Sequence, residues 1–224
     1  MRRHDSTCEC GLRYVRGLSE DEDYHAKLHE EYALGPVIPK VCAVPSITKV
    51  GNLAVHVVDA SVPLDVRQDI ARVAMVAARS MPEYPTGYDG TITEDDPRLY
   101  VLATGDRTVG FVLTAFDESF WRLSWKADGV IELLENTPSL HRGTKVGRVW
   151  VAAKYRRKGL STQLVEIAAQ HMSVEVSALR WELPFTPSGS ALVRHISPHI
   201  FLGCGNQFAL HEALNPKPPA KNVT

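Results

Sequence analysis

One segment, residues 149–164 (VWVAAKYRRKGLSTQL), constrains the fold more than any other part of the chain. Residues 145–152 form an apolar run that predicts a buried strand. From about residue 160 to residue 172 apolar side chains recur at helical spacing, and one face carries Leu160, Leu164, Ile167 and Ala168. A strand that leads through a short loop into a helix is a building unit of α/β proteins. The segment therefore predicts an α/β (α+β) fold around one central sheet.

The loop between this strand and this helix has the composition of an anion-binding site. The first turn of a helix presents backbone N–H groups that have no partner inside the helix, and the helix dipole adds positive charge there. Gly159 has no Cβ, so the backbone can approach a ligand closely. Residues 156–158 (RRK) add charge, and Ser161 and Thr162 offer hydroxyl groups. This combination suits a pyrophosphate. The alternative is a solvated basic loop that merely ends a strand.

The rest of the chain alternates strand-like and helix-like patterns from Leu53 onward. The predicted strands are residues 53–59, 98–104, 108–117, 176–183 and 208–211, with one or two more within residues 120–134. Gly105 and Asp106 indicate a hairpin between the second and third of these strands. One predicted helix begins at Pro63 and another spans residues 187–196, while residues 82–97 are a loop rich in Pro, Gly, Asp and Thr.

Composition divides the chain into four parts. Residues 1–34 are polar and contain Cys and His, and residues 35–52 have the Pro and Gly content of a linker. Residues 53–214 carry the alternating pattern of one domain. Residues 215–224 (NPKPPAKNVT) are expected to form a disordered tail.

Charge, hydropathy and cysteine usage exclude several classes of function. The 25 Lys and Arg residues and 26 Asp and Glu residues leave a net charge of -1, so the whole molecule is not expected to attract nucleic acid. No apolar run reaches the roughly 18 residues of a membrane span, and the N-terminus lacks the apolar region of a secretory signal. The sequence therefore predicts no membrane partner. Four unevenly placed Cys residues favour a reducing, intracellular location over a disulfide framework.

The N-terminal part carries a candidate metal site. Cys8 and Cys10 are close in sequence, and His25 and His29 are four residues apart, so both imidazoles share one face of a helix. Thiolates and imidazoles are the ligands that tetrahedral Zn²⁺ prefers, and a module this small needs metal binding to fold. The Cys-x-Cys pair is one residue shorter than the usual spacing, which tightens its loop and makes His4 a spare donor. The alternative is a polar arm without metal.

Residues 156–161 (RRKGLS), placed after an apolar strand, resemble the acetyl-CoA motif of the GNAT acetyltransferases, Q/R-x-x-G-x-G/A. Ser161 stands where that motif ends in Gly or Ala. Residues 146–158 (VGRVWVAAKYRRK) also resemble a narrower group, the sister-chromatid cohesion acetyltransferases, which have V-x-R-I-W-V followed by R-R-K.

Further signatures of the cohesion group have counterparts in the same order along this chain. Its P-T-P-D-G corresponds to residues 185–189 (FTPSG), and its ending C-G-T-G-Q-F corresponds to residues 204–208 (CGNQF). Its zinc finger has C-x-x-C-G, an acidic E-D-E and H-x-x-x-H, which correspond to residues 8–11, 20–22 and 25–29. The resemblance covers roughly residues 8–32 and 146–210.

The resemblance implies a GNAT-like mixed central sheet flanked by helices and preceded by a small C2H2-like zinc finger. It implies an N-acetyltransferase with acetyl-CoA as co-substrate and Zn²⁺ held by Cys8, Cys10, His25 and His29. The implied cofactor-binding residues are Val149, Trp150 and Val151 for the acetyl-pantetheine arm, then Arg156, Arg157, Lys158, Gly159, Leu160, Ser161 and Thr162, and further along Thr186, Pro187 and Ser188. From the residues alone, 186–188 could equally be a helix N-cap with Pro in the first turn.

Catalysis does not transfer intact from the resemblance. The family's Asp and Ser positions correspond to Pro184 and Gly147, and neither side chain can accept a proton. Glu182 precedes Pro184 by two residues with the same strand parity, so it is the predicted catalytic residue. Asp117 and Glu118 are weaker alternatives for this role, and Glu182 could equally be a surface or edge-strand carboxylate without a catalytic role. Tyr155 could act as a general acid toward the thiolate, although a residue in its position more often packs.

Two functions from different classes follow from these observations. The first is transfer of the acetyl group of acetyl-CoA to an amine, with a protein lysine as acceptor. The second is a catalytically weak or inactive zinc-finger and GNAT-like module that binds other proteins. The resemblance implies a cohesin subunit as partner, and a nuclear location if the source is eukaryotic or a cytoplasmic one otherwise. The finger is expected to make at most weak contact with nucleic acid or protein.

Overall fold

The structure is a computed structural model that describes residues 4–80, 88–91, 93 and 95–215. The predicted loop 82–97 lies partly outside the described residues, and the predicted tail lies outside them beyond residue 215. The chain forms two compact units. The first consists of Met1–Leu113 and Arg148–Ala168, and the second of Thr114–Gly147 and Ala169–Thr224.

The described residues contain ten strands and five α-helices. The strands are β1 (His4–Thr7), β2 (Arg13–Arg16), β3 (Ser46–Val50), β4 (Leu53–Val58), β5 (Arg98–Thr104), β6 (Arg107–Trp125), β7 (Ile131–Leu133), β8 (Ser139–Val151), β9 (Arg180–Glu182) and β10 (Ile200–Cys204). The helices are α1 (Ser19–Leu34), α2 (Leu64–Ser80), α3 (Leu160–His171), α4 (Pro187–Ile196) and α5 (Gln207–Leu214). Strands β6 and β8 are long, and each contributes residues to both units.

The first unit is built on antiparallel strands β3, β4 and β5. Helix α2 covers them because its apolar residues recur at helical spacing, and Ile70, Val73, Ala74 and Ala77 are all fully buried. They belong to one core cluster with apolar residues of β5 and with Phe111 and Trp150. This core supports the end of β8, where the predicted anion-binding segment begins.

Helix α1 is attached to the same unit by ion pairs and a glycine contact. Arg79 of α2 contacts Glu31 at 3.2 Å, and Arg107 contacts both Glu30 at 2.9 Å and the Gly35 carbonyl at 2.7 Å. Gly35 ends the helix at φ +90°, and a Cβ there would collide with the Thr108 carbonyl. A residue other than glycine would therefore separate α1 from β6.

The second unit combines parallel and antiparallel pairing. Strand β9 is parallel to both β8 and β10, while β7 and β10 are antiparallel to β6. Trp125 stacks on Phe201 with ring centroids 4.7 Å apart, and its indole N–H donates to the Ser197 carbonyl at 3.1 Å. The predicted α/β class, with a mixed sheet flanked by helices, is confirmed.

Several local predictions are confirmed and some are wrong. The strands at residues 53–59 and 98–104, the hairpin at residues 105–106 and the helix at residues 187–196 agree with the structure within a residue or two. The strand predicted at residues 208–211 is wrong, because these residues lie in α5, whose N-cap Asn206 accepts from Ala209 N–H at 2.8 Å. The last strand is instead β10. Residues 35–52, predicted as a linker, contain a 3-10 helix (Pro39–Ala43) and strand β3.

Candidate active site

The chain turns sharply where β8 leads into α3. After Val151, the Ala152 N–H donates to the Val109 carbonyl at 2.9 Å, and a 3-10 turn (Ala153–Tyr155) follows. Arg157 and Gly159 both have left-handed backbone conformations, with φ of +62° and +73°. Left-handed residues that alternate with right-handed or extended ones turn successive backbone N–H groups toward one side, and this forms an anion-binding concavity. We call residues 156–162 the anion loop.

Helix α3 begins at Leu160, within the anion loop, as predicted. Its first main-chain bond runs from Gln163 N–H to the Gly159 carbonyl at 3.1 Å, so the N–H groups of residues 160–162 have no acceptor inside the helix. Leu160 is buried and can offer only its backbone. Ser161 and Thr162 are half-buried, and Gly159 is exposed. A Cβ at Gly159 would come no closer than 3.5 Å to its nearest neighbour, the Gln163 amide, so the surface of the loop is open to a ligand.

The three basic side chains of the anion loop differ in what they contact. All three residues are exposed, and the Lys158 ammonium lies 5.4 Å from the centre of the Tyr155 ring. Arg156 is bound to the protein: its Nε donates to the Val151 carbonyl at 2.8 Å, and its Nη1 donates to the Tyr32 hydroxyl at 2.9 Å. Tyr155, an alternative proton donor from the sequence, packs against the core cluster of the first unit.

The strand segment Val149, Trp150 and Val151 is in place at the end of β8. Trp150 is buried and stacks on Phe111 with ring centroids 6.3 Å apart. Among the described residues, β9 pairs with β8 only at Lys145 and Val146, and β8 continues to Val151. A strand end without a neighbour on one side has backbone groups that can bind a ligand's amides.

The second unit holds the remaining predicted cofactor residues. Thr186 is the N-cap of α4, and its side-chain oxygen accepts from Gly189 N–H at 3.0 Å. Pro187 follows in the first turn, and both Pro187 and Ser188 are exposed. The N-cap interpretation of this segment is confirmed, and its cofactor contact stays a prediction.

Glu182, the predicted catalytic residue, ends β9 and belongs to a charged group within the second unit. Lys145 contacts the Asp117 carboxylate at 3.4 Å. Burial alone would lower the pKa of Lys145, but the charges of Glu182 and Asp117 outweigh it and raise that pKa. The Asp117 carboxylate also accepts from Ser119 N–H at 3.0 Å. Glu182 thus lies near a cation that holds a proton, while Glu118 is exposed and 3.9 Å from Arg142.

Cys204 neighbours Glu182 across the β9–β10 pair. Its thiol is 1% exposed, and burial raises its pKa far above the ordinary thiol range. A neutral, inaccessible thiol is a poor nucleophile, so Cys204 is not suited to carry an acyl group.

The first unit brings the four predicted metal ligands together. One ligand atom each from Cys8, Cys10, His25 and His29 lies within 4.8 Å of the others. Cys8 Sγ is 3.2 Å from His29 Nδ1. A tight turn, in which the Gly11 N–H donates to the Cys8 carbonyl at 2.9 Å, lets the short Cys-x-Cys spacing present both sulfur atoms to one point. We call these four residues the Cys/His cluster.

The Cys/His cluster fits a metal ion by its own chemistry. The buried Nε2 atom of His25 has no hydrogen-bond partner in the described protein, and an unpaired buried nitrogen is costly unless something binds it. Cys10 is buried, which raises the pKa of its thiol. Two sulfur and two imidazole donors at one point form the ligand set of tetrahedral structural zinc sites.

The comparisons with known proteins bear on the part of the chain that contains the anion loop. The family model described as "ESCO1/2 acetyl-transferase" matches residues 144–197, which include the anion loop and all of α4. Over these residues the chain is similar to that acetyltransferase family, as the sequence resemblance implied. No curated protein matched the chain.

Two solved structures share the fold of this chain. One is the xEco2 acetyltransferase domain bound to a lysine–CoA conjugate, with a TM-score of 0.58, 15% identity, and coverage of 72% of this chain and 98% of that one. The other is the xEco2 acetyltransferase domain alone, with a TM-score of 0.55, 16% identity, and coverage of 73% and 96%. These two structures show the fold, and the family-model match over residues 144–197 supports the predicted acetyl transfer over the interpretation as an inactive binding module.

Sequence reasoning missed three residues that shape these sites. Tyr32 binds Arg156 from 124 positions away, and no sequence pattern connects the two. Lys145 lies within the strand that the sequence predicted, but its ion pair with Asp117 depends on strand pairing. Arg180 is buried, donates to the Asp117 carbonyl at 2.7 Å and covers Phe120.

Among the described residues, no helix combines the length and apolar character of a membrane span.

Proposed function

We propose that this acetyltransferase binds acetyl-CoA with its pyrophosphate on the anion loop and transfers the acetyl group to a protein lysine. The observation that carries the proposal is the pair of left-handed residues, Arg157 and Gly159, directly before the first turn of α3. This geometry gathers backbone N–H groups, a helix N-terminus and two exposed cations at one point. The pantetheine arm would then extend along the backbone of residues 149–151.

The chemistry requires one base and no covalent enzyme intermediate. The acceptor amine loses a proton, its nitrogen bonds to the acetyl carbonyl carbon, the thioester C–S bond breaks, and the CoA sulfur takes up a proton. Glu182 is the proposed proton acceptor, and it lies near Lys145, whose ammonium also contacts the Asp117 carboxylate at 3.4 Å. The described Cys204 is too buried to act as an acyl carrier.

The lysine acceptor is supported by the family and by the lysine–CoA conjugate in one xEco2 structure. A cohesin subunit is the acceptor that the family resemblance implies, and that acceptor implies a nuclear location. Zn²⁺ is the proposed occupant of the Cys/His cluster, where it would serve structure and leave catalysis to the second unit. Thr186, Pro187 and Ser188 are proposed to contact the cofactor further along its length.

The substitution Gly159→Asp tests the anion loop. It places a carboxylate where the pyrophosphate would bind, so we expect acetyl-CoA affinity, measured by isothermal titration calorimetry, to fall by more than about tenfold. Gly159→Asn adds the same bulk without charge and separates the two contributions. Gly51→Asp is the matched control, because Gly51 also has positive φ (+60°), has open space around a Cβ and lies on the β3–β4 turn.

The proposal fails if Gly159→Asp and wild type bind acetyl-CoA equally well while both remain folded by circular dichroism. It also fails if wild type shows no binding at all. Acetylation of a lysine peptide by the wild-type chain, followed by mass spectrometry, tests the acceptor separately from cofactor binding.

A further inference from the structure

We propose that Arg156 is a positioning residue that couples the Cys/His cluster to the anion loop, so that metal binding strengthens CoA binding. The inference rests on the proposed function, since it presumes CoA on the anion loop and a metal in the Cys/His cluster. It assigns Arg156 to the protein side of the loop, whereas the sequence resemblance implied direct contact with the cofactor.

The coupling begins within α1. His29 and Tyr32 are three residues apart on this helix, so they share one face. Their ring centroids are 6.1 Å apart, which is within the range of interacting aromatic pairs. Tyr32 is only 5% exposed, so its ring position depends on the packing around it. A metal ligand thus borders directly on a buried aromatic ring.

Two further ring contacts involve the imidazoles of the Cys/His cluster. Tyr14 stacks on His25 with centroids 3.9 Å apart, and His25 meets His29 edge-on at 5.5 Å. A bound metal would hold both imidazoles in one orientation, and this would restrict Tyr32 through His29. Without metal, the buried Nε2 of His25 has no hydrogen-bond partner, which is energetically unfavourable and favours reorientation of the imidazoles.

Arg156 connects Tyr32 to the anion loop through one face of its guanidinium group and through two N–H groups at its edge. Its Cζ lies 4.8 Å above the Tyr32 ring, and its Nη1 donates to the Tyr32 hydroxyl at 2.9 Å. Its Nε donates to the carbonyl of Val151, the last residue of β8. Arg156 therefore joins α1 to the strand that leads into the loop.

The position of Arg156 in the chain explains why this contact affects a ligand. The next residue, Arg157, has the strained positive φ of +62°, and Gly159 follows two residues later. Holding Arg156 in place stabilises the left-handed pair that directs the backbone N–H groups toward the anion. A loop ordered in advance loses less entropy on binding CoA, so affinity rises.

The experiment measures CoA affinity by isothermal titration calorimetry for the full chain, zinc-loaded and after removal of metal with a chelator. For wild type we expect metal removal to weaken CoA binding about tenfold. Tyr32→Phe removes one hydroxyl and keeps the ring; we expect weaker CoA binding in the zinc-loaded protein and a smaller effect of metal removal. Arg156→Gln is expected to abolish the effect of metal.

Two matched variants separate coupling from charge. Arg157→Gln removes a cation that we assign to the anion, so it should weaken CoA binding equally with and without metal. Lys154→Gln removes the same charge from an exposed position two residues before Arg156, and we expect little change in either state. If Arg156→Gln behaves like Arg157→Gln and stays sensitive to metal, Arg156 contacts the cofactor directly and the inference is wrong.

A reciprocal measurement keeps the test valid if the metal-free chain does not fold. Coupling between two ligands is symmetric, so saturating CoA must raise zinc affinity by the same factor by which zinc raises CoA affinity. Competition of the zinc-loaded protein with a chromophoric chelator measures this factor for wild type and Tyr32→Phe. An equal zinc affinity with and without CoA in wild type overturns the coupling, whereas absence of CoA binding refutes the proposed function itself.

Discussion

At the scale of single residues, this protein uses similar side chains for different tasks according to what surrounds them. Arg156 and Arg157 are adjacent, carry the same charge and are both exposed, yet Arg156 also donates to the Tyr32 hydroxyl and the Val151 carbonyl. Glu182 and Glu118 are both carboxylates at strand positions, but Glu182 lies near the partly buried Lys145 and Glu118 is exposed. Burial and partners, rather than residue type, separate the functional candidates from their neighbours.

Glu182→Gln tests the proposed base. Glutamine has the same shape but cannot accept the proton, so we expect kcat to fall by roughly a hundredfold or more while acetyl-CoA affinity changes little. Steady-state kinetics with a lysine peptide and calorimetry with acetyl-CoA measure the two quantities.

Glu118→Gln is the control for Glu182→Gln, because this carboxylate is 76% exposed and its ion pair with Arg142 is long. Unchanged turnover in Glu182→Gln would remove Glu182 from catalysis. A large loss in Asp117→Asn alone would transfer the role of base to Asp117.

At the scale of elements, helix α1 makes two sets of contacts: its first turn binds the segment that precedes it, and its later turns carry residues of the Cys/His cluster and Tyr32. Its first turn carries Glu20, Asp21 and Glu22, which favour the helix N-terminus electrostatically. Asp21 and Glu22 also accept N–H groups of the preceding segment, from Val15 and Gly17. Further along, the helix presents two cluster imidazoles and then Tyr32. A single helix thus joins the small sheet of β1 and β2 to the body of the first unit.

Metal removal tests this organisation. We expect elemental analysis to give about one zinc per chain, and Cys10→Ala to lose the metal and expose α1 to proteolysis, because the small β1–β2 sheet has little core of its own. Cys42→Ala is the matched control, since Cys42 is an exposed thiol outside the cluster. A folded wild-type chain that carries no metal after purification in zinc-containing buffer would contradict the prediction.

At the scale of the whole molecule, binding of an anionic ligand depends on local charge. The net charge is -1, so long-range attraction contributes little to the capture of CoA. Affinity must come from backbone N–H groups and from the exposed cations of the anion loop, whose interactions are screened by salt.

Ligand-induced stabilisation tests this view of the molecule. Acetyl-CoA at a hundred times its Kd should stabilise the folded chain by about 2.7 kcal/mol, seen as a rise in the thermal unfolding midpoint. The rise should shrink as salt increases and be absent in Gly159→Asp. Pantetheine, which lacks phosphate, is the control ligand and should give a much smaller shift; an equal shift would place the main binding energy away from the anion loop.

What the sequence determined by itself was local. The strand, basic loop and helix of residues 145–172, the helix at residues 187–196 and the i, i+4 spacing of His25 and His29 all depend on periodicity and turn chemistry within short windows. The four metal ligands followed from donor type and spacing, and the structure brings them together.

Only the tertiary structure decided the contacts between distant segments. No local pattern in the sequence predicted β10, because this short strand is defined by its pairing with β9 and β6. The start of α5 was wrongly predicted to be a strand. Sequence reasoning also treated Arg156 as equivalent to Arg157. The contact of Arg156 with Tyr32 depends on how α1 packs beside the turn after β8. Contacts between segments that are far apart in the chain leave no periodic pattern in the sequence. They therefore cannot be inferred from residue spacing in a single sequence.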